Sequence, residues 1–339
     1  MQPKVAVVIL NWNGKHFLEQ FLPSVLNTTY SNLEIVVGDN ASTDDSVAYV
    51  QANYPSVTIL QNDNNYGYAG GYNKILESVN ADYIVLLNSD VEVTPDWIEP
   101  VIDLMESDEL IAVAQPKLKS YHQKNYFEYA GAAGGFIDQF GYPFCRGRIF
   151  DSVEEDNGQY NNVSEIFWAS GAAMFIKKKH FDLVNGLDSD LFAHMEEIDL
   201  CWRLKNLGYK VVYCPDSEVF HVGGGTLQAE SPFKTYLNFR NNLIILCKNL
   251  PTSKVFGVLF VRFWLDLLAW FKFLTSGKFK NAFSINKAHT HFLLHLTKWT
   301  NKRVEQKNKP NTSGFWQNSI VWAYFVKRKK CFSKIVREV

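Results

Sequence analysis

Residues 83–90 read YIVLLNSD, an apolar run from Tyr83 to Leu87 that stops at Asn88, Ser89 and Asp90. An uncharged run rich in branched side chains is what a strand covered on both faces of a parallel sheet requires. Three earlier runs share the pattern, at residues 5–10, 33–37 and 57–60, with only Glu34 charged near a start. Helices are expected between them at about residues 17–26, 45–53 and 70–79. Strand alternating with helix predicts an open, doubly wound α/β sheet. In such sheets ligands bind beyond the carboxyl ends of the strands, so the residues after each run matter most. They are Asn11-Trp12-Asn13-Gly14, Gly38-Asp39-Asn40-Ala41-Ser42, Gln61-Asn62-Asp63-Asn64-Asn65 and Asn88-Ser89-Asp90. Any one cluster is an ordinary turn or helix cap. Four in succession point to a polar site along one edge. Capping does not account for Asp90, because Val91-Glu92-Val93 follows it rather than a helix start.

Further strands are expected at residues 111–114, 165–168, 172–176 and 210–213, with a loop-rich insert at about 120–160 suited to shaping an acceptor pocket. A helix is expected at 195–207, closed by Gly208. The net charge of −1 hides a segregation. Residues 1–231 carry 14 Lys and Arg against 32 Asp and Glu, whereas residues 232–339 carry 20 against 3, a net of +17. That break divides an acidic catalytic body, 1–231, from a basic, aromatic-rich helical region, 232–339. Within the body, a donor half is expected over about 1–115 and an acceptor half over about 116–231. Five cysteines without paired spacing give no disulfide framework or thiolate zinc site, and a reducing compartment is expected. The six-residue apolar stretch at 5–10 is too short for the core of an export signal. Residues 254–274 read KVFGVLFVRFWLDLLAWFKFL, but Arg262 and Asp266 near the centre each cost about 2.5–3.5 kcal/mol in a bilayer core. A helix lying on an anionic leaflet is the expectation, with an Arg262–Asp266 pair at i,i+4.

A carboxylate at a strand end can hold a divalent cation that neutralises a departing diphosphate, which is the role expected of Asp90. His221, before Val222-Gly223-Gly224-Gly225, is a second candidate ligand, although a single histidine is more often structural. The stretch HMEEIDLCWR, 194–203, crowds Glu196, Glu197 and Asp199 at a helix start. Acids there complement the helix dipole, but crowding also raises the proton affinity of one of them and suits a general base. Glu197 and Asp199 are both eligible.

These motifs in order, VVILNWNG (7–14), DNASTDDS (39–46), NYGYAGGYN (65–73), LLNSD (86–90), WASGAAM (168–174), EEIDLCWR (196–203) and FHVGGG (220–225), resemble the motif set of family 2 glycosyltransferases, in particular the rhamnosyltransferase-like branch. The resemblance covers about residues 4–250. It implies a GT-A fold, a Rossmann-like, doubly wound mixed sheet, here with a helical C-terminal region that associates with a membrane. It further implies an inverting enzyme that moves a sugar, rhamnose or a related hexose, from a nucleotide-diphosphate donor linked to UDP or dTDP. The implied acceptor is a saccharide, lipid-linked, in cell-surface polysaccharide biosynthesis at the inner face of the cell membrane. Asp39 matches the reader of the donor base, and Asn65, Gly67, Gly71 and Asn73 match the segment nearest nucleotide and diphosphate. Asn11 and Asn88 complete the expected donor edge. Asp90 and His221 match the ligands of a divalent cation, Mg2+ or Mn2+. Trp168 and Gly171, with Glu196, are expected at the sugar and acceptor site, and Glu197 matches the catalytic base.

Two departures stand out. Asn88 replaces the first acid of the family's DxD motif, leaving Asp90 its only carboxylate. Glu197 is one methylene longer than the usual aspartate, which keeps Asp199 in competition. A nucleotidyltransferase would want a Gly-rich basic loop after the first strand, where only Gly14 and Lys15 are offered. A non-catalytic carbohydrate-binding scaffold is the other alternative, and no nucleic-acid partner is expected.

Overall fold

The computed structural model describes residues 2–223, 231–303 and 310–336; Gly224 and Gly225 lie outside the described residues. The chain runs β1 (Val5–Asn11), α1 (Lys15–Leu26), β2 (Leu33–Asp39), α2 (Ser46–Asn53), β3 (Thr58–Gln61), α3 (Gly67–Leu76), β4 (Tyr83–Asn88), β5 (Val91–Val93), α4 (Glu99–Glu106) and β6 (Ile111–Ser120). Strands β1, β2, β3 and β4 pair in parallel in the order β4-β1-β2-β3. Alternate side chains of each strand face opposite layers. Val5, Val7 and Ile9 join one buried cluster with Leu18, Leu22 and Val101, and Ala6 and Val8 join the other with Tyr72 and Ile75. Helices α1, α2 and α4 therefore cover one face and α3 the other, as a doubly wound sheet requires.

The expected insert contains strands instead of only loops. It folds into β7 (Gly135–Asp138), β8 (Pro143–Cys145), β9 (Arg148–Ile149) and β10 (Ser152–Val153), which form a second, small sheet. The chain then returns through β11 (Ser164–Glu165), β12 (Ala173–Lys177), α5 (Lys178–Leu183), α6 (Glu196–Asn206) and β13 (Lys210–His221). Strand β12 runs antiparallel between β4 and β6, which makes the main sheet mixed. Residues 166–168, expected to extend a strand, lie outside β11 and make a bridge from Trp168 to Gly135 of the second sheet. Strand β13 is far longer than the 210–213 expected. It pairs in parallel with β6 through two register irregularities and antiparallel with β5.

The C-terminal region comprises α7 (Pro232–Asn249), α8 (Thr252–Thr275), α9 (Phe279–Leu294), α10 (Leu296–Asn301) and β14 (Phe315–Trp316). Strand β14 pairs with β7, so the chain comes back to the second sheet after its helices. No helix among the described residues is long and apolar enough to cross a membrane. Helix α7 is tied to α6 by a buried charge cluster. Asp199 accepts hydrogen bonds from Arg203 Nε at 2.8 Å, Lys248 Nζ at 3.0 Å and Asn249 Nδ2 at 2.8 Å. Burial works against its charge, but Arg203 and Lys248 outweigh it and hold the Asp199 carboxyl below the usual range. Removing one member of such a cluster strands its partners in the core. Asp199→Ala is accordingly expected to lower stability by about 3–5 kcal/mol, read as a reduced urea midpoint.

Candidate active site

In register, Asn11 lies opposite Asp39 and Leu10 opposite Asn88, so β1, β2 and β4 end on one edge. Buried Asn11 donates to Asp39 Oδ1 at 3.2 Å and to Ser42 Oγ at 3.1 Å, and the Ser42 amide donates to Asp39 Oδ2 at 2.9 Å. Asp39 is thus a fixed acceptor at the rim. Behind it, Asn40 ties its own loop to the connection between β3 and α3. Its Nδ2 donates to Asn65 Oδ1 at 2.9 Å and to the Gly67 carbonyl at 3.0 Å, and its Oδ1 accepts from Asn62 Nδ2 at 3.0 Å. Gly67 has φ +69°, and a Cβ there would fall 2.5 Å from the Phe192 ring. Both facts demand glycine.

Two residues expected against the donor also engage the protein itself. A Cβ on Gly71 would lie 3.0 Å from Asn40 and from Leu10, so the close approach it permits is to its own core. Asn73 donates to the Leu187 carbonyl at 2.7 Å and accepts from the Leu187 amide at 3.0 Å, clamping the loop before α6. Trp168 engages the protein in the same way. Its indole is buried against Gly135 and donates to the Phe136 carbonyl at 2.8 Å, joining the two sheets where an acceptor-lining wall was expected.

Asp90 and His221 do come together. The register places His221 opposite Val91, and its Nε2 lies 3.1 Å from Asp90 Oδ1 and 3.4 Å from Asn88 Nδ2. On the other side, Nδ1 lies 3.4 Å from Oε1 of buried Glu128. Burial disfavours a charged imidazole, but Glu128 and Asp90 outweigh it and raise His221 to about 10. Burial likewise opposes the Asp90 carboxylate, whose pKa the His221 hydrogen bond and charge bring down.

This pair fits a divalent cation. The 3.1 Å between Nε2 and Oδ1 is close to the ~3 Å that separates neighbouring ligands each ~2.1 Å from one ion. A carboxylate behind the second ring nitrogen is the usual outer partner of a metal-binding histidine. Among the described residues no group of three or more His, Cys, Asp or Glu closes round one point, so the fit rests on this pair.

Helix α6 begins after His194 (φ +68°) and Met195 (φ +73°), two successive left-handed residues that turn the chain sharply. Glu196 is buried and Glu197 half-buried, and an Oε2 of each is enclosed without a protein hydrogen-bond partner. Burial and the neighbouring Glu197 push Glu196 well above the carboxylate range. Burial raises Glu197 to about 7 against nearby backbone amides. Both carboxyls are thus raised by burial, with Glu197 acting on Glu196 as well. Asp199, by contrast, is spent on Arg203, Lys248 and Asn249, which removes it as a base.

Tyr68 connects this carboxylate pair to the strand edge. Burial, Tyr72 and then the charges of Glu196 and Glu197 raise its phenol, and it donates to the Gly171 carbonyl at 2.7 Å. The next carbonyl, of Ala172, accepts from the Asn88 amide at 3.0 Å. Gly171 therefore lies between Tyr68 and the turn that carries Asn88, and a Cβ on it would collide with the Tyr68 hydroxyl. Tyr68 and Glu128 escaped the sequence reading. The one available signal was that Glu128 is the only carboxylate between residues 110 and 137.

Residues 6–170 match the family model described as glycosyl transferase family 2. These residues form a family 2 glycosyltransferase domain. The transferase is 24% identical over 236 residues, 65% of this chain and 76% of the relative, to an N-acetylglucosaminyl-diphospho-decaprenol L-rhamnosyltransferase from Mycobacterium tuberculosis. Its fold is similar to that of a mannosyltransferase from Pyrobaculum calidifontis solved in complex with GDP-Man and Mn2+. That likeness has a TM-score of 0.54 and 15% identity, over 89% of this chain and 84% of the other. It is also similar to GalNAc-T7 solved with UDP, GalNAc and Mn2+, with a TM-score of 0.56 and 17% identity over 72% of this chain, which spans 48% of that one. These likenesses establish a GT-A fold.

If Glu197 is the base, Glu197→Gln is expected to lower sugar transfer by about 10²–10⁴ with an unchanged urea midpoint. The base works only when ionised, so wild-type kcat/KM is expected to climb with pH through about 7 and then level off. A flat profile from pH 5.5 to 8.5 would contradict the assignment. Glu128→Ala is expected to weaken Mn2+ binding by about 10–100-fold in an electron paramagnetic resonance titration without donor.

Proposed function

We propose that this transferase moves a hexose, rhamnose or a close relative, with inversion from a UDP- or dTDP-linked donor to a lipid-linked saccharide in cell-surface polysaccharide synthesis. The observation that carries this reading is the Asp90–His221 pair, formed by residues 131 apart in sequence at the sheet edge where the strands bearing Asn11, Asp39 and Asn88 end. Asp39 would accept the ring N–H of a pyrimidine base. The turn held by Asn65 and Gly67 lies next along the same edge, within reach of the donor nucleotide and diphosphate. Asp90 and His221 would hold Mg2+ or Mn2+, and the bound cation would supply Lewis-acid neutralisation of the departing diphosphate.

Glu197 would take the proton of the acceptor hydroxyl as that oxygen attacks the anomeric carbon from the face opposite the diphosphate. Glu196, kept protonated by burial and by Glu197, would donate a hydrogen bond at the sugar and acceptor site. An enclosed carboxyl raised to about 7 suits a general base in a single displacement, which supports inversion. The relative from Mycobacterium tuberculosis is named for a lipid-linked acceptor, and the basic region after residue 231 suits the anionic cytoplasmic face of a cell membrane, which supports the acceptor class.

The test is a screen of the purified chain against uridine-, thymidine- and guanosine-linked sugars, read by released nucleoside diphosphate with and without Mn2+. Turnover of a pyrimidine-linked donor is expected, falling on chelation and in Asp90→Ala. Product with the donor's anomeric configuration, seen by NMR, would refute inversion.

A further inference from the structure

Helix α8 is built inside out. Of its 24 residues only Arg262 and Asp266 are buried, at 2% and 0% exposure. Arg262 donates to Asp266 at 2.9 Å and to the Phe140 carbonyl at 3.1 Å, and its guanidinium lies 3.9 Å from the centre of the Tyr142 ring. Asp266 is also met by His289 Nε2 of α9 at 3.0 Å and by the Tyr142 hydroxyl at 3.4 Å. The charges thus fasten α8 to the second sheet and to α9. The opposite stripe, Phe256, Phe260, Phe263, Trp264, Leu268 and Phe271, faces outward, each residue at least 50% exposed and Phe256 at 83%. Phe325 extends the surface, lying under Lys272 with its ring centre 5.7 Å from Nζ, and Phe279 and Phe283 of α9 are exposed as well. A water-facing apolar surface this large marks a binding face.

We propose that this stripe inserts side-on into the interfacial layer of an anionic lipid bilayer. The inference deepens the membrane-face part of the function proposed above by naming the face and its orientation. Charge selects the occupant. Asp266 is the only acidic residue among the described residues from 231 onward, and it is buried. Lys254, Lys272 and Lys280 are exposed along the helices, and Lys327-Arg328-Lys329-Lys330 follows the exposed Phe325. Aromatic side chains among cations without exposed acids suit lipid headgroups and acyl chains together. A second copy would set like charges against like across a two-fold axis. Helix α8 does not qualify as a span, so it lies along the surface.

The experiment uses the full chain and sedimentation with vesicles of phosphatidylcholine alone or mixed with phosphatidylglycerol. Binding to the mixed vesicles, a blue shift of tryptophan emission and loss of both in high salt are expected. Phe260→Ser/Trp264→Ser, at exposed positions, is expected to lower that binding by about tenfold or more with donor hydrolysis in vesicle-free buffer unchanged. Replacing the four basic residues 327–330 by Ser is expected to erase the preference for phosphatidylglycerol. Equal binding by wild type and the Phe260/Trp264 variant would overturn the proposal. So would a wild-type dimer, by light scattering, that the same substitutions split and that ignores vesicles. Failure to turn over any nucleotide sugar would instead remove the function proposed above and leave vesicle binding as a separate result.

Discussion

The imidazole of His221 sits between two buried carboxylates, Asp90 and Glu128, and the site takes its form from that arrangement. Two like charges at this depth would repel each other without a cation between them, and the proton on His221 supplies one. The arrangement depends on β13 running the length of β6 while its last three residues also pair with β5, which brings residue 221 to the turn that closes β4. Any cation taken up by Nε2 has to displace the proton, so metal affinity at such a site is coupled to pH. The substitution of Asn88 for an acid belongs to the same balance. Another carboxylate would add a further negative charge to a pocket already holding two.

A second charge economy operates at α6. Asp199 is surrounded by donors and stays ionised, while Glu197 and Glu196, two and three residues earlier, each keep one enclosed oxygen without a protein hydrogen-bond partner. One helix start therefore carries a structural anion, a protonated carboxyl and a carboxyl that titrates near neutrality. Part of the difference comes from α7, which brings Lys248 and Asn249 to Asp199. The region after residue 231 is thus part of the catalytic body's packing as well as the carrier of its exposed aromatic face. Arg262 and Asp266 act likewise at α8, where satisfying charge inside obliges the aromatic side chains to face out.

Much of this was legible in the sequence. Apolar runs ending in Asn and Asp gave the parallel strands and their polar edge, because strand burial and strand ends leave a local signature. Asp90, His221 and Glu197 were singled out before any contact was known, as was the Arg262–Asp266 pair. Less legible was anything that depended on partners distant in the chain. Trp168, Gly71 and Asn73 carry motif identities that suggest ligand contact, yet their neighbours prove to be Phe136, Asn40 and Leu187. Residues 120–160 read as loop because their strands are only two to four residues long, too short for periodicity to show.

The sequence by itself determined the α/β alternation, the edge on which the polar residues gather and the segregation of charge at residue 231. These follow from side-chain chemistry and spacing over a few residues. Only the tertiary structure decided which of two acids in one helix turn keeps a free oxygen, which carboxylate stands behind His221, and which face of α8 meets solvent. Each of those depends on desolvation and on hydrogen-bond partners contributed by segments 50 to 131 residues away, and local sequence carries no record of either.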